Sequence, residues 1–343
     1  MQIPWRSIIG GLLIAGSLTG CSGGDPLRDA TEEYRDRLSR VLDVPLPDLP
    51  ETGSLAYPDA QALQVAIAPV SVNLRDFYAL KDCALYTLIA ERNTSTGKVQ
   101  QPSQRLVYEA AFIRAADDCI HTLNSSNPAL SARLADIQQQ KLTQYERVWA
   151  TLIQRSEALH YAFALPNGLL KQEENRDAGA AVVALHYLDK RHQPGEVTSA
   201  ELEEALQQSA SARLPAKLWL TQQYLTNALT TLTPALSAAL DNIACPEGRA
   251  PEQAKILRNV FYLFFIRQIQ PVGSVLNDYH YQLDGVFSRW QTTPALSPVF
   301  RDYLTRYATD GFNAYQSAMR EHVALWQAFL GRCNLSPQAP SAS

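Results

Sequence analysis

Apolar positions recur at spacings of three and four along most of this chain, and the elements they predict are helices. Leu27, Tyr34, Leu38 and Val41 fall on one face of residues 27–43, with acids early and arginines later, which suits the helix dipole. Pro45, Pro47, Pro50 and Pro58 then make the next stretch extended. From Ser71 the spacing predicts one helix over 71–92, a break at Gly97 and Pro102, and a second helix over 103–123. After the SSNP segment a long helix is expected over 129–164. Leu142, Tyr145, Trp149, Leu152, Leu159 and Phe163 alternate at three and four, with Ser156 in one slot. The PNG triplet at 166–168 ends it.

The second half continues in the same way. A shorter helix is expected over 175–192, and Thr198 with Glu201 forms a capping box that opens the next. A long helix follows from Pro215 to Ile243, with a kink expected at Pro234. Residues 251–270 are apolar on nearly every side, which predicts a central helix. Pro271 is expected to kink or end it, with helical pattern resuming to Trp290. The last helix, 297–333, carries Leu304, Ala308, Phe312, Tyr315, Met319, His322, Trp326, Phe329 and Cys333 as an inward stripe. No stretch alternates as a strand does, and no repeat is visible. The prediction is an all-α protein, a multi-helix bundle of long antiparallel helices.

The amino-terminal pattern differs. Arg6 precedes an apolar run from Ile8 to Leu18, far short of the roughly 20 residues that span a bilayer. A positive start, a short apolar run and small residues describe an export signal. The run closes on Leu18-Thr19-Gly20-Cys21, which resembles the lipobox of bacterial lipoproteins. That resemblance implies cleavage before Cys21, a diacylglyceryl group on its thiol, and acylation of the new amino group. Two or more acyl chains, at about 0.8 kcal/mol per buried methylene, anchor stably. Ser22, not an aspartate, follows the cysteine, which by resemblance to enterobacterial lipoprotein sorting implies the outer membrane over the inner. The division is a signal peptide at 1–20; a lipidated leash, short helix and Pro-rich linker at 21–70; a helical domain at 71–333; and a flexible tail at 334–343.

Composition narrows the partners. The 343 residues carry a formal charge of −4, and the sequence pI is near 5.9, so no basic face invites nucleic acid. The expected partners are the membrane, through the lipid anchor, and another envelope protein. Of five cysteines, Cys21 is assigned to lipid, and Cys83, Cys119, Cys245 and Cys333 remain. An oxidising compartment and an even count fit two bridges, with three connectivities open. Counting outward from the turn of an antiparallel hairpin brings Cys83 opposite Cys119. Cys245 and Cys333, each at a helix terminus, are the other pair. Free buried thiols and a metal site are the alternatives, but no CxxC or HxxxH spacing supports a metal.

The search for chemistry finds little. There is no GxSxG elbow, Walker loop, GxGxxG or HExxH. His186 and His192 lie six apart, off a common face, and His322 sits within an apolar stripe as a core histidine. Asp117, Asp118 and His121 share a helical turn that reads as a solvated face. Glu173 and Glu174 read as surface, and Tyr279, His280 and Tyr281 as packing. The densest polar stretch is LIAERNTSTGKVQQPSQRLVYE, residues 88–109. There Glu91, Arg92, Asn93, Gln104 and Arg105 surround a helix–helix turn as a candidate recognition surface. Its two arginines either tie the hairpin or present a forked surface to an anion.

With that stretch, Cys119, Cys245-Pro246, the IRQIQP segment at 266–271, Trp326 and Cys333, the sequence resembles a proteobacterial lipoprotein family defined only as domain of unknown function 3080. The resemblance implies a lipoprotein address and brings no activity, cofactor or catalytic residue. The expected function is therefore that of a non-catalytic scaffold or interaction protein of the cell envelope, with no cofactor. The alternative is a helical module holding a small or lipid-like ligand between residues 256–266 and the Tyr279–Tyr281 cluster.

Overall fold

The computed structural model describes residues 24–93, 101–173 and 175–336. Cys21, the expected lipid attachment point, lies outside them. Among the described residues the chain is helical with no strand, as the spacing predicts, and two disulfides cross-link it.

Helix α1, Pro26–Leu42, begins on Asp25, whose carboxylate accepts from Leu27 N–H, with Pro26 pre-set for the first turn. It buries Leu27, Tyr34 and Leu38. The Pro-rich segment after it is extended but not detached. Leu55 and Leu63 are buried, the Gln154 amide donates to the Leu63 carbonyl at 2.7 Å, and the Tyr57 hydroxyl donates to the Gln154 carbonyl at 3.0 Å. Residues before 71 thus share the main core with the helices that follow.

The expected helix over 71–92 is two helices, α2 (Leu74–Ala79) and α3 (Ala84–Arg92). Cys83 takes an extended backbone between them and bonds Cys119, with Cα atoms 5.6 Å apart. Buried Asp76 anchors α2: Arg133 donates two hydrogen bonds to it and holds its carboxyl below the usual carboxylate range. Helices α4 (Pro102–Ser126) and α5 (Pro128–Arg155) form an antiparallel hairpin about Asn127, whose side chain accepts from Leu130 N–H. Leu80, Leu85, Ile89, Phe112, Cys119 and Leu134 belong to a second, smaller core around that bridge.

The expected helix over 129–164 also divides. Ser156 is extended and caps α6 (Glu157–Ala164), its hydroxyl accepting from Leu159 N–H at 3.3 Å. Serine competes with a helix interior for this capping role. Helices α7 (Ala178–Lys190) and α8 (Ser199–Ala212) follow, and Thr198 accepts from Glu201 N–H as the capping box requires. Helix α9, Leu214–Asp241, runs through Pro234.

Helix α10 is one element in three stretches: Glu252–Val260, a widened π stretch Phe261–Ile269, and Gln270–Thr292. It is not central as expected. Ala254, Leu257, Phe261, Phe265 and Ile269 are buried, whereas Ile256 and Leu263 face solvent. Pro271 neither ends nor interrupts it. The ring has no N–H to give, and the stretch before it is already in the wider register, with Gln270 N–H bonded to the Phe265 carbonyl. The Gln268 amide takes the Leu263 carbonyl at 2.9 Å.

Helix α11 has the same construction: Pro298–Leu304, a π stretch Thr305–Asp310, and Gly311–Arg332. The Gln222 amide donates to the Tyr307 carbonyl beside this π stretch. A Cβ on Gly311 would stand 2.5 Å from that amide, so a larger residue there would displace the Gln222 side chain. Contacts advance together along α9 and α11: Gln222 with Tyr307, Thr233 with His322, and Leu240 with Arg332. The two helices therefore run parallel, and Cys245 and Cys333 close their ends with Cα atoms 5.1 Å apart.

His322 is fully buried at the centre of this assembly. The Trp326 ring N–H, which can only donate, points at its Nε2 from 3.2 Å, and the Tyr34 hydroxyl lies 3.0 Å from the same atom. Nε2 is therefore the acceptor, so Nδ1 carries the proton and donates to Thr233 Oγ1 at 2.9 Å. The network joins α1, α9 and α11 around a neutral imidazole. Burial pushes its pKa down to about 3. Because the folded value is depressed, the unfolded chain binds the extra proton below the ordinary value near 6.5. Stability should fall by about 2 kcal/mol between pH 7 and pH 5 from this residue alone. Urea titrations at both pH values should show that loss in the native protein and a smaller one in His322→Gln. Equal losses would reject the assignment.

Candidate functional site

A cleft of about 400 Å³ opens where the two cores meet. The extended chain at 67–72 forms one wall, and α3, α4 and α5 form the others. Its position follows from the elements around it. The turn before Cys83 swings α3 across α4, and the disulfide holds it there. The α4–α5 hairpin then sets Glu109 opposite Lys141, with the pairs Ile113–Gln138 and Ile120–Ser131 in the same antiparallel register.

Arg92, Asn93 and Arg105 line this cleft together with Glu109, Lys141 and Gln144. Lys141 Nζ donates to Glu109 Oε2 at 2.7 Å, and the lysine side chain is only 7% exposed. The ammonium also lies 4.5 Å from the Phe112 ring centroid and 5.2 Å from that of Tyr108. Arg92 sits over the Tyr108 ring at 5.6 Å. Burial and the neighbouring Glu109 carboxylate push the Tyr108 hydroxyl up to about 12, against the pull of Arg92, so it stays protonated at neutral pH.

Charge in the cleft is not balanced. Lys141 and Glu109 neutralise one another, while neither arginine forms an ion pair among the described residues. Among the described residues buried Arg105 Nε has no acceptor and buried Gln144 Oε1 has no donor. An apolar wall from Ile67, Val70, Ile89 and Phe112 completes the lining. This arrangement can hold an anionic group at the arginines and an apolar body beside them.

The surface expected around the 88–109 turn is thus divided. Arg92, Asn93 and Arg105 face the cleft, whereas Glu91 and Gln104, again with Arg92, line a shallower groove of about 240 Å³ beside Val107 and Ser199. Sequence reasoning did not identify Glu109, Lys141 or Gln144. The available signal was Lys141 standing four and eight residues before Tyr145 and Trp149, a charge within an apolar stripe.

At the ligand site expected between 256–266 and Tyr279–Tyr281, aromatic rings pack closely. His280 stacks on Phe312 with centroids 3.4 Å apart, Phe265 is buried against Tyr34, and Tyr281 is exposed. Asp117, Asp118 and His121 are exposed, and Asp117 accepts from Gln138. Among the described residues no group of three or more His, Cys, Asp or Glu side chains could hold a metal ion, and no helix is long and apolar enough to cross a membrane.

The sequence model of a family described as a protein of unknown function, DUF3080, matches residues 31–337. No curated protein and no solved structure matches the chain.

Proposed function

The chain belongs to the DUF3080 family, whose description assigns no activity, and on that premise we propose that it is a lipid-anchored, non-catalytic interaction protein of the cell envelope. Cys21 carries the anchor, and the cleft between α3, α4, α5 and residues 67–72 is the contact with its partner. One observation carries the reading: two arginines without an ion pair among the described residues converge on a cleft at the junction of two cores. The partner, another envelope protein, presents an acidic group to Arg92 and Arg105, where guanidinium forks match carboxylate geometry.

In-cell photocrosslinking from a probe amino acid at Val70 tests this. A discrete protein adduct is expected, and R92A/R105A should reduce it by about tenfold, the loss of roughly 1.4 kcal/mol of charge-assisted bonding. No adduct, or one indifferent to both arginines, would contradict the proposal.

The volume and apolar wall of the cleft favour a second reading, a small amphiphilic anion held there, since small-molecule sites begin near 300 Å³. Native mass spectrometry separates the two. A co-purifying small molecule that R105A releases, with no protein adduct in cells, would establish the second reading and displace the first.

A further inference from the structure

A second cleft, of about 500 Å³, lies at the root of the leash. Gly24 and Asp25 form one side, residues 167–169 with Lys171, Asn175 and Arg176 another, and Lys217 of α9 the third. Lys171, Arg176 and Lys217 project cationic groups into its lining, and among the described residues none of the three forms an ion pair. Among the described residues Asp25 is the one carboxylate in that lining, and both its oxygens accept hydrogen bonds. Oδ1 accepts from Leu27 N–H at 3.1 Å and Oδ2 from Leu169 N–H at 3.0 Å. Asn175 clips the loop in place, accepting from Lys171 N–H and donating to the Lys171 carbonyl. Gly168, at φ +111°, makes the turn that brings Leu169 N–H onto Asp25. Burial, then Lys171 and Arg213, hold the Lys217 ammonium below the usual lysine range, with Asp177 opposing as a smaller influence. Among the described residues three cations line the cleft against the one carboxylate of Asp25, with the Asp29 carboxylate beside Gly24 and Asp177 near Lys217.

The distance to the membrane follows from the chain. Three peptide units separate Cys21 from Gly24, a reach of about 11 Å at full extension. The Asp25–Leu169 bond fixes the body at that point. A bilayer holding the acyl chains of Cys21 therefore lies within about one headgroup layer of this cleft. From this juxtaposition we infer that the cleft formed by Gly24, Lys171, Arg176 and Lys217 receives the phosphate of an anionic phospholipid headgroup and sets which face of the body meets the membrane. The inference rests on the proposed acylation of Cys21. It concerns a face distinct from the partner cleft, which is built on α3, α4 and α5.

The test uses the full mature protein purified from membranes, with its acyl chains verified by intact mass. It is reconstituted into vesicles of phosphatidylcholine, with or without phosphatidylglycerol, and amide exchange is followed at 24–29 and 165–177. Exchange there should slow by about threefold or more with the anionic lipid. The effect should vanish in high salt and in K171Q/R176Q/K217Q, whose thermal unfolding should match the native protein. Equal exchange in both vesicles would overturn the inference while leaving the anchor standing. The same protection from inorganic phosphate over phosphatidylcholine would also overturn it, by identifying a soluble anion as the ligand. A product without acyl chains would remove anchor and inference together.

Discussion

Replacing Cys245 and Cys333 by serine should lower the unfolding free energy by about 4–5 kcal/mol, as expected for opening a loop of this length. The bridge spans 88 residues and closes the ends of the parallel helices α9 and α11. Arg332 donates to the Leu240 carbonyl at 2.6 Å, but its pairing with Asp241 is solvent-exposed and contributes little. The Cys83–Cys119 bridge spans 36 residues, so its loss should cost less, about 3–4 kcal/mol. Its effect should also be local, because it staples the smaller core on which one wall of the Arg92–Arg105 cleft stands. Urea unfolding of C245S/C333S and C83S/C119S should return that order, with exchange in the second variant quickened over 74–92. A loss below about 1 kcal/mol for the longer loop would contradict the loop-entropy account.

Lys141→Met should destabilise the fold by about 3–5 kcal/mol, because it strands a carboxylate away from water. Glu109 is 12% exposed at its side chain and accepts from Lys141 Nζ at 2.7 Å. The methionine keeps the volume against Phe112 and Tyr108, so the effect reads charge and not packing. Adding Glu109→Gln should recover most of the loss, since a neutral pair carries no such desolvation penalty. Chemical denaturation of the single and double variants gives the cycle. A double variant as unstable as the single one would mean that the methionine, and not the orphaned carboxylate, does the damage.

The helical pattern was legible because burial on one face imposes a period that residue spacing displays directly. It showed α1, α4, the capping box at Thr198, and the stripe ending at Cys333. The breaks at Cys83 and Ser156 were hidden. Each residue fits a helical slot by spacing, and its extended backbone is explained only by a partner elsewhere: Cys119 for one, a cap on the following helix for the other. Residues 251–270 misled for a different reason. Their hydrophobicity is high, but Ile256 and Leu263 remain in solvent, so apolar content alone did not report depth. Of the cleft, the arginines were visible as a dense polar turn. The Glu109–Lys141 floor was not, because it comes from two helices whose register depends on the Asn127 turn. The second cleft draws Gly24, Lys171 and Lys217 from three distant segments, and no local pattern unites them.

The central claim is an acyl-tethered, cross-linked helical body outside the cytoplasm. Intact mass of the protein extracted from membranes without reductant tests it most directly. The account predicts a chain that starts at Cys21, carries acyl chains on that residue, and has its other four cysteines in two bridges. A chain still starting at Met1, with all its thiols free, would contradict it.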